Sequence, residues 1–340
     1  MLILIIILLL ILLIAVFPVI RDYLKKKKTV AISYTEGLAA IIDGQTDKAI
    51  ELLKQSVTVD SNNIDAYLRL ADLYTRKGDT DRVAKIYERL AVRHNLTPQE
   101  EKRVYQHLGK YYSSVNRLQK AITMFEELIN LDKNNISNYE MLFSLYLKTE
   151  RFNDAEELIK KMTKIQNDKK QIAQYYANLG KELLNRNIET SAKYFKQALA
   201  LDNQNIDALT NLANYYYQKG EIKLAIEIYN EFLNYYPEKN HLVRKHLEQA
   251  YYDLNQYEQV SNFYEKLLKK VPNDIGLYLS LAEIYEKKED YQNAIDILNK
   301  APLEQKKEIA IQVELAKLYL KNKEINNAQY ILESLSEHLK

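Results

Sequence analysis

Five histidines, seven glycines and several paired carboxylates are the residues of this chain that could carry chemistry. His241 and His246 stand five residues apart, so they do not share a helix face, and neither belongs to an H-E-x-x-H motif. His94, His107 and His338 are isolated in sequence. No glycines fall into G-x-G-x-x-G or a P-loop, so no backbone loop is set to cradle a nucleotide phosphate. No G-x-S-x-G elbow presents a nucleophile. Adjacent acids such as Glu126–Glu127 and Glu156–Glu157 point in different directions on a helix and read as solvated faces. There is no cysteine, which excludes disulfides, thiolate zinc sites, iron–sulfur clusters and a cysteine nucleophile. The expectation is no catalytic residue, no cofactor, no metal and no small-molecule substrate.

Charge points the same way. Lys plus Arg number 48 and Asp plus Glu 46, a formal charge of +2, so no global basic field recruits nucleic acid. The one concentrated patch is Arg21, Lys25, Lys26, Lys27 and Lys28, directly after the unbroken apolar run from Leu2 to Ile20. As a helix that run spans roughly 28 Å, close to a bilayer's hydrocarbon core. A secretory signal needs a basic start, a shorter apolar stretch and a small-x-small cleavage site, and "FPVIRDY" offers none. The run therefore reads as an uncleaved anchor. Its positive flank places the rest of the chain in the cytoplasm. Those lysines are either a plain stop-transfer flank or contacts to anionic headgroups, at roughly 1 kcal/mol each near the surface.

The body of the chain is repetitive. A small-residue slot is filled by Gly37, Ala71, Gly109, Phe143, Gly180, Ala213, Glu248, Ala282 and Ala316. Seven of these are followed three residues later by tyrosine: Tyr74, Tyr112, Tyr146, Tyr216, Tyr251, Tyr285 and Tyr319. A second slot holds Ala49, Val83, Ala121, Ala155, Ser191, Ala225, Val260, Ala294 and Ala328. Spacings of three and four put residues on one helix face. Two helices of about a dozen residues, joined by turns such as "RKGD", "QKGE" or "KKED", then fold back on each other. Small residues allow the axes to approach, and tyrosine fills the wedge between neighbouring pairs. The recurring wedge position contributes seven of the 28 tyrosines of a chain with no tryptophan. Two insertions interrupt the frame. "RHNLTPQEEKR" places Thr97 as an N-cap, Pro98 at the first helical position and Glu100 in a capping box. "KIQNDKKQ" adds three polar residues and reads either as a bend or as neutral loop growth.

This frame resembles the tetratricopeptide repeat over residues 31–340. The fold expected is all-α, a right-handed superhelical solenoid of about nine tetratricopeptide helix pairs behind an N-terminal transmembrane helix. Residues 1–20 are the anchor, 21–30 a basic juxtamembrane linker and 31–340 the repeat solenoid. Such an array binds a protein or peptide ligand in a concave groove lined by the first helices. The inward positions are Asp72, Lys110, Ser144, Lys181, Asn214, Gln249, Glu283 and Lys317, with Tyr217 and Tyr252 nearby. Those two tyrosines either anchor a partner's peptide or pack between repeats.

A closer resemblance lies in the order "YTEGL", "GQTDKAIEL", "DAYLRLADLYTRKGDTDR", "NLTPQE" and "YQHLGKYY", which is similar to the lipopolysaccharide assembly protein B family. The resemblance implies a single-pass scaffold of the bacterial inner membrane. In that family the scaffold helps a membrane metalloprotease degrade the deacetylase that commits flux to lipid A, and contacts the lipopolysaccharide transport machinery. It does not extend to the family's rubredoxin-like module with four zinc-binding cysteines, since this sequence has none. The expected function is a membrane-anchored cytoplasmic scaffold or adaptor that recruits a protease or transport machinery. The alternative is a structural scaffold of another envelope, secretion or cell-division complex.

Overall fold

A computed structural model describes residues 16–23, 32–94 and 96–338 of the chain. Most of the expected anchor, and the lysines at 25–28, lie outside the described residues. Residues 16–23, which include Arg21, are helical and exposed. Among the described residues no strand occurs, and no helix is long and apolar enough to cross a membrane.

The chain divides into two compact bodies, Met1–Leu158 and Ile159–Lys340. The first contains α1 (32–42), α2 (Thr46–Val59), α3 (Ile64–Arg76), α4 (Thr80–Ala91), α5 (Pro98–Ser114), α6 (Leu118–Leu131) and α7 (Ile136–Lys148). The division falls within α8 (Phe152–Ile165). The second contains α9 (Lys169–Leu183), α10 (Ile188–Leu201), α11 (Ile206–Gln218), α12 (Ile222–Tyr235) and α13 (Arg244–Asp253). It continues through α14 (Tyr257–Lys270), α15 (Ile275–Lys287), α16 (Tyr291–Asn299), α17 (Leu303–Lys306), α18 (Ile309–Lys321) and α19 (Ile325–His338).

Helix pairing follows from the two slots. Every residue of the second slot is buried, from Ala49 to Ala328. In the first slot, a Cβ on Gly109 would stand 2.7 Å from Phe125, and one on Gly180 would stand 2.8 Å from Phe195. These axes are therefore too close for even a methyl group without displacing a ring. Phe143 and Glu248 occupy the same slot and are also buried.

The turn inside each pair has its own rule. Gly44, Gly78 and Gly220 take φ of 73°, 73° and 80°, and Asn116, Glu150, Asn255, Glu289 and Lys323 take φ between 55° and 65°. Each stands seven residues past the small slot. The backbone N–H after it donates back to the residue three past the slot, as in Asp79 to Tyr74 (3.0 Å), Glu221 to Tyr216 (2.9 Å) and Glu324 to Tyr319 (2.8 Å). This is a Schellman-type helix stop, and it fixes where the second helix starts. The fifth repeat, whose turn is one residue shorter, manages without a positive φ.

The tyrosines fill the wedge and also pin it. Tyr146 donates to Glu126 Oε1 at 2.7 Å and Tyr285 to Glu265 Oε1 at 3.1 Å, each crossing to the second helix of the preceding pair. Tyr251 and Tyr319 accept from Asn230 and Asn299 in the same way, at 3.2 and 3.3 Å. No pair buries its apolar face alone. One cluster of buried side chains runs from Leu209 on α11 through Tyr229, Phe232 and Tyr264 to Ile284 on α15.

The capping box forms as expected: Glu100 N–H donates to the Thr97 hydroxyl, and Thr97 N–H donates to Glu100. Two repeats depart from a pair of dozen-residue helices. After Pro237 the chain makes a 3-10 segment, Pro237–Leu242, which leaves α13 only 10 residues long. The second helix of the eighth repeat, α16, stops after 9 residues, where Ala301 drops into the core and Pro302 stands at the N-cap of α17. Proline, which cannot donate to a helical ladder, marks both breaks.

Candidate functional site

At 3.6 residues per turn, Asp65 and Asp72 lie two turns apart on one face of α3, and Tyr67, Leu70 and Tyr74 lie on the opposite face. The first face carries Asp72, one of the positions expected to line the groove. Asp65 gathers Tyr34 of α1, Arg69 of its own helix (3.3 Å) and Arg103 of α5, tying three successive first helices together. Two turns on, Asp72 faces His107 Nδ1 at 3.6 Å. Between them opens a hollow of about 450 Å³ with Tyr87 and Tyr111 at its base, their ring centroids 4.7 Å apart. Burial first, and then the charge of Asp72, push the Tyr87 hydroxyl far above the usual phenol range. That hydroxyl stays a neutral donor. Lys110 stands on the rim, exposed, and makes no ion pair among the described residues. Ser144 is exposed on α7.

In the second body the inner residues are already engaged. Lys181 reaches Asp207 Oδ1 at 3.2 Å, and Gln174 donates to the same carboxylate at 2.8 Å. Asn214 accepts a hydrogen bond from Tyr229 at 2.5 Å, so its amide is aimed from beneath. Tyr217 donates to Asp253 Oδ2 at 2.5 Å and Gln249 donates to Asp253 Oδ1 at 2.8 Å. Those two hydrogen bonds hold the Asp253 carboxyl below its ordinary range. Tyr252 instead packs against Tyr257, with centroids 5.9 Å apart, and burial raises its hydroxyl. Farther along, Lys317 bridges Glu286 (3.0 Å) and Glu314 (2.9 Å), and Lys287 meets Glu283 (2.8 Å), around a hollow of about 720 Å³.

Tyr217 and Gln249 are thus brought together on Asp253, and Asn214 lies about one turn before Tyr217 on α11. Lys181 is held by Asp207, and Tyr252 lies with the packed side chains. Asp207 and Asp253 are not among the residues expected from sequence. Their partners lie 26 and 36 residues away, so only packing reveals the pairing. Among the described residues no group of three or more histidines, cysteines or carboxylates could hold a metal ion. The side chains at these positions can form hydrogen bonds and ion pairs.

The tetratricopeptide repeat family profile matches residues 57–335. Lipopolysaccharide assembly protein B of Escherichia coli (strain K12) is 23% identical over 246 residues, covering 72% of this chain and 62% of that protein. The protein of the same name from Haemophilus influenzae is 24% identical over 251 residues, covering 71% and 63%. This chain therefore spans less than two thirds of the length of these relatives. Among solved structures, one of Naa15/Naa10 bound to HypK-THB aligns with 92% of this chain and 64% of its own, at 13% identity and a TM-score of 0.47.

Proposed function

The chain belongs to the tetratricopeptide repeat family, and from that premise we propose that it is a membrane-anchored cytoplasmic scaffold for protein partners in lipopolysaccharide assembly. The observation that carries the reading is the similarity to lipopolysaccharide assembly protein B across most of the repeats. In this reading residues 1–20 anchor the chain in the bacterial inner membrane, 21–30 form the basic linker and 31–340 present the groove. Arg21 and Lys25 to Lys28 flank the membrane on its cytoplasmic side. Anchoring raises the local concentration of partners that are themselves in the membrane, so weak groove contacts suffice.

The groove contacts proposed are Lys110, Lys181, Asn214, Tyr217, Gln249 and Tyr252. Lys181 and Asp207 are both substantially exposed, and an ion pair of that kind is worth about 1 kcal/mol or less. A partner's carboxylate can therefore take Lys181 with little loss. Asn214 is different, because Tyr229 fixes its orientation before any partner arrives. The adaptor role needs no chemistry of its own. It needs a protease or transport machinery to be gathered beside its substrate.

The test is affinity capture from solubilised membranes, with the native chain and with Lys110→Glu/Lys181→Glu, together with the levels of lipid A pathway enzymes in a deletion strain. Co-purification of those enzymes or their protease, lost on charge reversal, supports the reading. Unchanged enzyme levels on deletion, with none of these proteins captured, reject it in favour of another envelope complex. A reporter fused after Lys340 checks topology, and periplasmic activity would reverse the localisation.

A further inference from the structure

The first body carries a second hollow, of about 270 Å³, on the side of α3 opposite Asp65 and Asp72. Lys54 from α2 and Arg82, Lys85 and Arg89 from α4 surround it, and Tyr67 and Tyr74 form its floor. Among the described residues no carboxylate lines it. Arg82 pairs with Asp79 at 3.3 Å and lies over the Tyr74 ring at 5.1 Å. Lys54, Lys85 and Arg89 are exposed and make no ion pair among the described residues. The lysines of the inner hollow at Glu286 are, by contrast, neutralised: Lys245, Lys287 and Lys317 each have a carboxylate within 3.1 Å.

We infer that this face of α2 and α4 docks on anionic phospholipid headgroups, and that in doing so it turns the inner face of the first body away from the bilayer. Three cations at one hollow that make no ion pair among the described residues, beside Arg82, fit a phosphate-bearing surface. Their aliphatic stems and the tyrosine floor fit its partly apolar boundary. The screening length at physiological salt is about 8 Å, so such a patch acts only when held at the membrane. The chain supplies that condition. Eleven residues separate Ile20 from α1, which allows a reach of at most roughly 40 Å, and α2 to α4 follow at once. This inference deepens the anchored-scaffold reading and rests on it.

The absence of cysteine allows single reporters to be placed in the full chain. Thr58→Cys sits in the outer hollow and Ser114→Cys in the inner one, both at exposed positions. Each is labelled with a fluorophore and reconstituted into vesicles of phosphatidylcholine, or of phosphatidylcholine with phosphatidylglycerol, that carry a headgroup quencher. The expected result is quenching of the label at position 58 and not of the label at position 114, in anionic vesicles only. It is lost when Lys54, Lys85 and Arg89 are all changed to Gln, with helical content by circular dichroism unchanged. Equal quenching at both positions overturns the inference, and so does quenching at position 58 that ignores lipid charge or the triple change. Binding of soluble polyglutamate to the hollow without lipid quenching would assign it to an acidic protein and overturn it too. Carbonate extraction of the same vesicles reports the anchor separately. A chain that washes out refutes the anchor and the docking face with it, whereas a chain that stays in the vesicles yet is unquenched at position 58 overturns the docking face alone.

Discussion

The hydroxyl of Tyr264 donates to Glu248 Oε2 at 2.7 Å, in the slot where most repeats place alanine or glycine. Both residues are buried, at 0% and 7% exposure. A buried carboxylate is costly unless its oxygens are engaged, and here Tyr264 and Lys245 (3.1 Å) engage the same one. Glu248→Ala restores the ordinary small residue but orphans the tyrosine hydroxyl, so a loss of about 1–3 kcal/mol is expected. Tyr264→Phe is expected to destabilise as well. The double variant should lose less than the sum of the two, which a denaturant double-mutant cycle measures.

The left-handed turn position gives the opposite sign. Glu289 holds φ of 58°, where a side chain costs about 1–2 kcal/mol and glycine costs nothing sterically. Allowing for glycine's greater freedom when unfolded, Glu289→Gly should stabilise the second body by roughly 0.5–1 kcal/mol. Gly220→Ala, at φ of 80°, should destabilise it by a similar amount. Paired thermal melts read both.

Close helix approach is tested at Gly109. A methyl group there must displace the Phe125 ring, which is fully packed, so Gly109→Ala is expected to cost about 1–3 kcal/mol. Changing Phe125 to Leu in the same chain should recover part of the loss. Chemical denaturation of the two variants decides.

The spacing of small residues and tyrosines was legible because it repeats, and its physical content, close axes and a filled wedge, is what the structure contains. The turn was only half legible. Gly78 and Gly220 announce a left-handed residue, but Glu150, Glu289 and Lys323 take the same conformation with no local sign. Glu248 stands in a small slot because a tyrosine 16 residues away receives it, and chain periodicity carries no trace of that. The inner carboxylates Asp207 and Asp253 leave no sign in the spacing for the same reason. The breaks at Pro237 and Pro302 shorten α13 and α16 without changing the repeat length much, so the frame alone does not expose them.

Burial pushes the hydroxyls of Tyr87, Tyr146, Tyr229 and Tyr264 far upward, with nearby Asp72, Glu126 and Glu248 adding to three of them. In the unfolded chain these phenols lose their protons from about pH 10. The folded forms keep theirs, so stability is full below that pH and falls above it. For Tyr87 and Tyr264 the expected slope is about 1.4 kcal/mol per pH unit each until they ionise. Alkaline unfolding followed by phenolate absorbance should show these tyrosines ionising together with loss of helix. Phe substitution at Tyr87 or Tyr264 should flatten that alkaline slope.

In the proposed role, an anchored groove gathers protein partners for lipopolysaccharide assembly. Quantitative capture from membranes tests it most directly, comparing the native chain with Lys110→Glu/Lys181→Glu at equal abundance. A lipid A pathway enzyme or its protease should be retained by the native chain and lost from the variant, with a matching change in that enzyme's cellular level. Equal recovery on both chains, or recovery of neither with the enzyme level unchanged on deletion, would contradict it.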